Sequence, residues 1–153
     1  MLSEKMQDAL NAQINAELHS SYLYLAMAAY FESQNLLGFA NWMHKQSDEE
    51  NVHGMKFYNY INDRRGRVVL TAIEGPKTDW TSSLAVFEDS LKHEQKVTGL
   101  INKLMDLAIA ESDHATISFL KWFVDEQVEE ESNVDSVIQD LKRIGDAPQG
   151  LFI

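Results

Sequence analysis

The chain has 153 residues, enough for one domain with a sizeable core, and its 44% hydrophobic and 24% charged content is that of a globular protein rather than a disordered one. A formal net charge of -11 argues against nucleic acid as a partner, because a phosphate backbone needs Lys and Arg to replace its counterions. The absence of cysteine excludes disulfides and thiolate metal sites, so any metal must be held by carboxylate, imidazole or amide groups.

The N-terminal Met1-Leu2-Ser3-Glu4-Lys5 lacks the basic start and apolar run of a secretory signal. No stretch is long and apolar enough to span a membrane, so a cytoplasmic location is expected. Ser3 can cap a first helix reaching about Gln34, with apolar Leu10, Ile14, Leu18, Leu25, Ala28 and Phe31. A turn over residues 35–38 leads to a second helix from about Phe39 to Arg65, stopped by Gly66. A third helix starts after Thr81 or Ser82 and ends near Ala110. A fourth starts after Ser112 or Asp113 and ends with Lys142 and Arg143 in its last turn and Gly145 beyond it. The bundle is expected to occupy residues 1–145, and a short tail residues 146–153.

Two of the three connections are tight turns, which make their helices antiparallel. The middle one, residues 66–82, has 17 residues, with a β-like Val68-Val69-Leu70 and the breaker Gly75-Pro76. Extended at ~3.3 Å per residue it reaches about 56 Å, against about 40 Å for the second helix at ~1.5 Å per residue. It can run the whole bundle and leave helices two and three parallel. The expected fold is an all-α four-helix bundle with one long crossover.

Each apolar stripe is interrupted near its middle by a strong polar residue. The first passes through Glu17. The second runs Phe39, Met43, Gln46, Glu50, His53, Phe57, Tyr60. The third runs Leu84, Phe87, Leu91, Glu94, Ile101, Met105, and the fourth Ile117, Leu120, Val124, Gln127, Glu131, Val134, Ile138, Leu141, with Glu130 a turn from Gln127. Buried, unpaired carboxylates are costly and need a shared partner, which a pair of divalent cations would supply. Glu50 and His53 form Glu-x-x-His, placing both on one helix face. Glu17 and Glu94, Glu50 and Gln127, and His53 and Glu130 are each 77 residues apart, so the two hairpins present corresponding groups at corresponding depths. Oxygen donors with one imidazole suit Fe(II), Mn(II) or Zn(II) and disfavour Cu(I). Against this, Glu129-Glu130-Glu131 also reads as a solvated face, His19, His44, His93 and His114 as solvated or capping residues, and the Met and aromatic residues as plain core.

These residues resemble the bacterial non-haem ferritins, a ferritin-like di-iron carboxylate family, over nearly the whole chain. The resemblance implies a ferroxidase that oxidises Fe(II) with dioxygen or hydrogen peroxide and stores Fe(III) as a mineral inside a homo-oligomeric shell of 24 subunits. It implies that Glu17, Glu50 and His53 bind one iron and that Glu50, Glu94 and Glu130 complete a second, with Glu50 bridging and Gln127 close by. Glu49, Glu126 and Glu129 stand where the family carries a third iron. Tyr24 matches the family tyrosine beside the centre, an electron donor, and Trp122 a nearby tryptophan with an equally good core reading. Asp113 and His114 are candidates for threefold entry channels. Asn51 follows Glu50 where a bacterioferritin carries its haem-binding methionine, and Asn133 replaces a second histidine three residues after Glu130, so no haem is expected. The family's short fifth helix, beyond Gly150-Leu151-Phe152, is expected to be absent or truncated. The competing readings are a di-iron or di-manganese peroxidase, which carries two Glu-x-x-His motifs, a DNA-protecting mini-ferritin with its site between subunits, and a purely structural acidic bundle.

Overall fold

A computed structural model describes residues 1–145. The expected tail, and with it the question of a fifth helix, lies outside the described residues. The elements are α1 (Glu4–Ser33), α2 (Leu37–Asp63), α3 (Ser83–Ala110) and α4 (His114–Ile144). Three begin where a side-chain oxygen can take an orphan amide: Ser3 accepts from the Met6 N–H, Ser82 from Ala85 and Asp113 from Thr116. α2 starts two residues before Phe39 and has no side-chain cap. Its entry is set by the end of α1, where the Leu36 N–H donates to the Phe31 carbonyl at 2.9 Å.

That bond recurs. Gly66 N–H donates to Ile61 at 2.8 Å and Asp113 N–H to Ala108 at 2.9 Å, each just after a left-handed residue: Asn35, Arg65 and Ser112 have φ of 57°, 58° and 53°. The stop of α2 therefore differs from expectation, because the left-handed position is Arg65. Gly66 is required by space instead, since a Cβ there would lie 2.9 Å from both Ile61 Cγ2 and Gln7 Oε1.

The crossover contains no strand among the described residues, contrary to the β-like look of Val68-Val69-Leu70. Its backbone pairs with side chains of α1. Arg67 N–H donates to Gln7 Oε1 at 3.0 Å, and Asn11 donates to the Arg67 carbonyl and accepts from Val69 N–H at 2.9 and 2.8 Å. Asn15 donates to the Thr71 hydroxyl and the Ala72 carbonyl, both at 2.9 Å, and His19 Nδ1 meets the Glu74 carbonyl at 3.1 Å. Further on, the Trp80 ring packs edge-on against Tyr30, near the end of α1. The crossover thus travels with α1 from its start to its end. It delivers α3 to the end where α2 begins, so α2 and α3 are parallel. Asn11→Ala should leave the bundle folded at a cost of about 1 kcal/mol, with faster hydrogen exchange at the Val69 amide; unchanged exchange there would mean that the ladder does not hold the crossover.

The core is split in two. One cluster gathers Tyr24, Met27, Ala28, Phe31, Ala40, Met43, Trp80, Val86, Phe87, Val134, Ile138 and Leu141. The other gathers Met6, Leu10, Ile14, Phe57, Ile61, Val97, Ile101, Leu104, Ala108, Leu120 and Phe123. Between them lies a buried polar belt: Gln13, Glu17 and Ser20 on α1, Gln46, Glu50 and His53 on α2, Ser90 and Glu94 on α3, Gln127 and Glu130 on α4. Two stripe positions are corrected. Leu25 is 44% exposed, lying one residue past buried Tyr24 and about 100° around the helix from it. On α4 the buried glutamate is Glu130, whereas Glu131 is half-buried and accepts from the Thr98 hydroxyl at 2.6 Å.

Candidate metal centre

The belt brings together one carboxylate from each helix and one imidazole. Glu17, Glu50 and His53 offer ligand atoms within 4.8 Å of one another, and so do Glu50, Glu94 and Glu130. Glu50 is common to both groupings. None of the five residues is more than 4% exposed. His53 Nδ1 lies 3.1 Å from Glu50 Oε2 and 3.9 Å from Glu17 Oε2. The second of these oxygens, Glu17 Oε2, is buried without any hydrogen-bond partner, a vacancy in the bonding that a cation would satisfy.

Amide donors collar the carboxylates. Gln13 donates to Glu17 Oε1 at 3.1 Å, and Gln46 to Glu50 Oε1 at 3.1 Å and Glu130 Oε2 at 2.6 Å. Gln127 donates to Glu94 Oε2 at 3.1 Å, and also to the Glu94 carbonyl and the Thr98 hydroxyl. The Tyr24 hydroxyl donates to Glu94 Oε1, and its oxygen lies 3.0 Å from Ser90 Oγ. Gln13, Ser90 and Thr98 had no role in the sequence reading. Gln13 carried a usable signal, because it precedes Glu17 by four residues as Gln46 precedes Glu50, one helical turn in each case.

Among the described residues no Lys or Arg forms an ion pair with these carboxylates; their ion-pair contacts are with His53 alone. Burial pushes all four above the ordinary carboxylate range. For Glu17 the charge of Glu50 adds to burial, and for Glu50 that of Glu94 does. Burial raises Glu94, opposed by the hydrogen bonds from Tyr24 and Gln127, and raises Glu130 to about 9 with help from Glu94. Burial, and then the charge of Glu94, raises the Tyr24 phenol. Without a cation the centre holds protons, and a cation can replace them.

A third grouping, His53, Glu126 and Glu130, opens on a surface cavity of about 320 Å³. Glu126 is half-buried; Glu49 is exposed and lines the cavity; Glu129 is exposed and joins none of the groupings. Trp122 is 40% exposed, so it is not plain core. It stands edge-on to His53 at 5.3 Å, with Lys56 Nζ 3.2 Å above its ring.

Asp113, one of the two channel candidates, is committed elsewhere. It caps α4 and pairs with Arg64 at 3.1 Å. Burial opposes its charge, but the Thr116 bonds and Arg64 hold it below its ordinary value. His114 is exposed. Of the histidines read as solvated or capping, His44 meets Glu32 at 2.6 Å and His19 meets the crossover. His93 is half-buried on Ser20 Oγ at 2.6 Å, and burial, with His19 and Lys96 nearby, lowers it to about 4.

Four helices, one lengthwise crossover and a buried carboxylate and histidine belt fed by every helix define a carboxylate metal-binding bundle. Residues 7–144 match the ferritin-like domain. The bacterial non-heme ferritin of Staphylococcus saprophyticus is 48% identical over 153 residues, all of this chain and 92% of the relative. That of Staphylococcus aureus is 47% identical over the same span. An open-pore ferritin from the hyperthermophilic archaeon Archaeoglobus fulgidus superposes with a TM-score of 0.98 at 48% identity, over 99% of this chain and 93% of that one. The chain belongs to the ferritin family, whose members store iron in oligomeric shells. Among the described residues no helix is long and apolar enough to cross a membrane.

Proposed function

We propose that this chain is a ferroxidase as well as an iron store, with Fe(II) as its substrate. The observation that carries the reading is the set of four buried carboxylates and one imidazole, with no basic side chain paired to the carboxylates among the described residues. Four ionised carboxylates balance the charge of two divalent cations, and each Fe(II) that enters displaces protons. In this reading Glu17, Glu50 and His53 hold one iron and Glu50, Glu94 and Glu130 the other, with Glu50 between them and Gln127 steadying Glu94. Two Fe(II) each give one electron to one dioxygen, which takes up two protons and leaves as hydrogen peroxide; peroxide as oxidant accepts two electrons and two protons and leaves as water. Anionic oxygen ligands favour Fe(III) over Fe(II), and so favour the electron loss. Tyr24 is a reserve donor: when only one Fe(II) is bound, its phenol can supply the second electron that dioxygen needs, while its proton passes to Glu94, the carboxylate it already bonds. Glu126, with Glu49 and Glu129, holds a third iron in transit. Residues 1–145 supply the whole of this centre.

Fe(III) then hydrolyses and joins a mineral inside a shell of 24 copies. Tyr22, Leu25, Val69 and Leu70 are 44–62% exposed on the single chain and support burial against neighbouring copies.

Oxygen uptake on adding Fe(II) to the metal-free protein tests the reading. Rapid uptake near two irons per oxygen molecule, suppressed by prior Zn(II), is the expected result. Zn(II) suits the same donors and has no redox chemistry. Uptake no faster than in buffer would refute the ferroxidase reading.

A further inference from the structure

When a single Fe(II) is bound, dioxygen needs a second electron, and two oxidisable rings each stand one ligand away from the centre. The Tyr24 hydroxyl, on α1, bonds Glu94. The Trp122 indole, on α4, stands edge-on to His53 with ring centroids 5.3 Å apart. Contact this close permits electron transfer from either ring, so proximity does not choose between them. Their electrostatic surroundings do.

Tyr24 is fully buried and its hydroxyl faces a carboxylate. That carboxylate can take the phenol proton as the electron leaves, and its negative charge favours the positive charge that electron loss creates. Trp122 lies in the opposite field. Lys56, three residues after His53 on α2, is half-buried, and its Nζ lies 3.2 Å from the centre of the indole ring. Asp48, Glu49 and Glu126 line the same cavity, yet among the described residues Lys56 makes no ion pair with them. Its ammonium rests on the ring instead. A cation is attracted to an intact π face, but that attraction turns to repulsion once the ring has lost an electron.

We propose that Lys56 is a positioning residue that holds a positive charge on Trp122, so that a half-loaded centre draws its second electron from Tyr24 and spares the indole. The step it suppresses is loss of one electron from the indole through the centre to dioxygen, followed by loss of the N–H proton to water. The step it favours takes that electron from the phenol and gives the proton to Glu94. In either case dioxygen receives one electron from Fe(II) and one from the ring, takes up two protons and leaves as hydrogen peroxide. This rests on the ferroxidase reading above.

The test adds one Fe(II) per chain to the full metal-free protein in air. A ring radical trapped by dioxygen marks its residue with added oxygen, so peptide mass spectrometry reads the yield at Trp42, Trp80 and Trp122, the three tryptophans of the chain. Electron paramagnetic resonance reads the tyrosyl radical. In Lys56→Gln, neutral and close in length, the Trp122 yield should rise at least about fivefold relative to Trp42 and Trp80, the scale of a cation's hold on a part-exposed ring, and the tyrosyl signal should fall. Lys56→Arg, which keeps a cation for the ring, should behave as the parent. Lys56→Leu gives the same neutral comparison should Lys56→Gln fold poorly. A role in packing alone would move the melting temperature and leave the Trp122 ratio where it was. An unchanged ratio in the folded neutral variants, beside a parent that oxidises Fe(II) rapidly, overturns this inference alone. So does an equal rise in Lys56→Arg, which would show that cover rather than charge protects the ring. A parent that oxidises Fe(II) no faster than buffer overturns the ferroxidase reading and this inference with it.

Discussion

Glu50→Ala should abolish rapid Fe(II) oxidation, by at least about a hundredfold, while the helices still form. Glu50 is the carboxylate common to the two inner groupings, so its removal dismantles both at once. Loss of either grouping alone already separates the two electrons that one dioxygen needs. Glu50→Gln sharpens the test, because it keeps the shape and most of the hydrogen bonding and removes only the charge. Oxidation should fall nearly as far as in Glu50→Ala. The metal-free protein should become more stable at alkaline pH, because Glu50 is buried, lies beside Glu94 and is raised by both. An oxygen electrode and denaturant titration of the metal-free protein read the two effects. Rapid oxidation persisting in both variants would sink the assignment, and a loss of alkaline stability in Glu50→Gln would show that the buried charge is compensated in some other way.

The second large effect is on pH dependence. Glu130 has a folded value of about 9 against an ordinary 4.5, and Glu17, Glu50 and Glu94 move in the same direction. Between the unfolded and folded values the folded chain holds protons that the unfolded chain has released. Raising the pH therefore favours unfolding. The stability Glu130 contributes is fully present below about 4.5 and declines as pH rises toward about 9, with a slope of up to ~1.4 kcal/mol per pH unit, and Glu17, Glu50 and Glu94 act in the same direction. Bound divalent cations reverse the sign, because metal competes with protons for the same oxygens and binds better as pH rises. Thermal melting of the metal-free protein at pH 6 and pH 9, with and without Zn(II), should show a lower midpoint at pH 9 without metal and the larger Zn(II) gain at pH 9. A metal-free midpoint that rises over this range would mean that the carboxylates are ionised and paired in some other way.

The parts of the fold legible in the sequence were those governed by local chemistry. Ser3 caps α1 as expected, Ser82 and Asp113 are the caps where the sequence left Thr81 or Ser82 and Ser112 or Asp113 open, and the length of the crossover allowed α2 and α3 to be parallel. The positions of Glu17, Glu50, His53, Glu94 and Glu130 in the belt were legible because a carboxylate inside an apolar stripe is anomalous, and because the spacing of 77 residues repeated the anomaly. What stayed hidden depended on direction around a helix. Leu25 and Glu131 fit their stripes by spacing but lie to one side of the buried face. Gln46 and Gln127 interrupt their stripes visibly, whereas Gln13 adjoins Ile14 and shows its role only in its bond to Glu17. Val68-Val69-Leu70 has strand composition but forms no strand, and the Val69 N–H goes to the Asn11 side chain, a partner that no β-propensity registers.

Those partners have a consequence of their own. Gln7, Asn11, Asn15 and His19 are spaced four residues apart, or about 6 Å along a helix. They meet the crossover near residues 67, 69, 71–72 and 74, and two extended residues advance about 6.6 Å. The two rises are almost commensurate, so helix and crossover mesh like a rack and its gear. A single residue inserted at position 68 would throw every later tooth out of mesh, whereas one inserted at exposed Gly75, past the last tooth, would add slack and nothing more. A segment that looks like a tolerant loop has its length fixed to the residue over its first half, with slack only between the last tooth and the part anchored by Lys77 and Trp80.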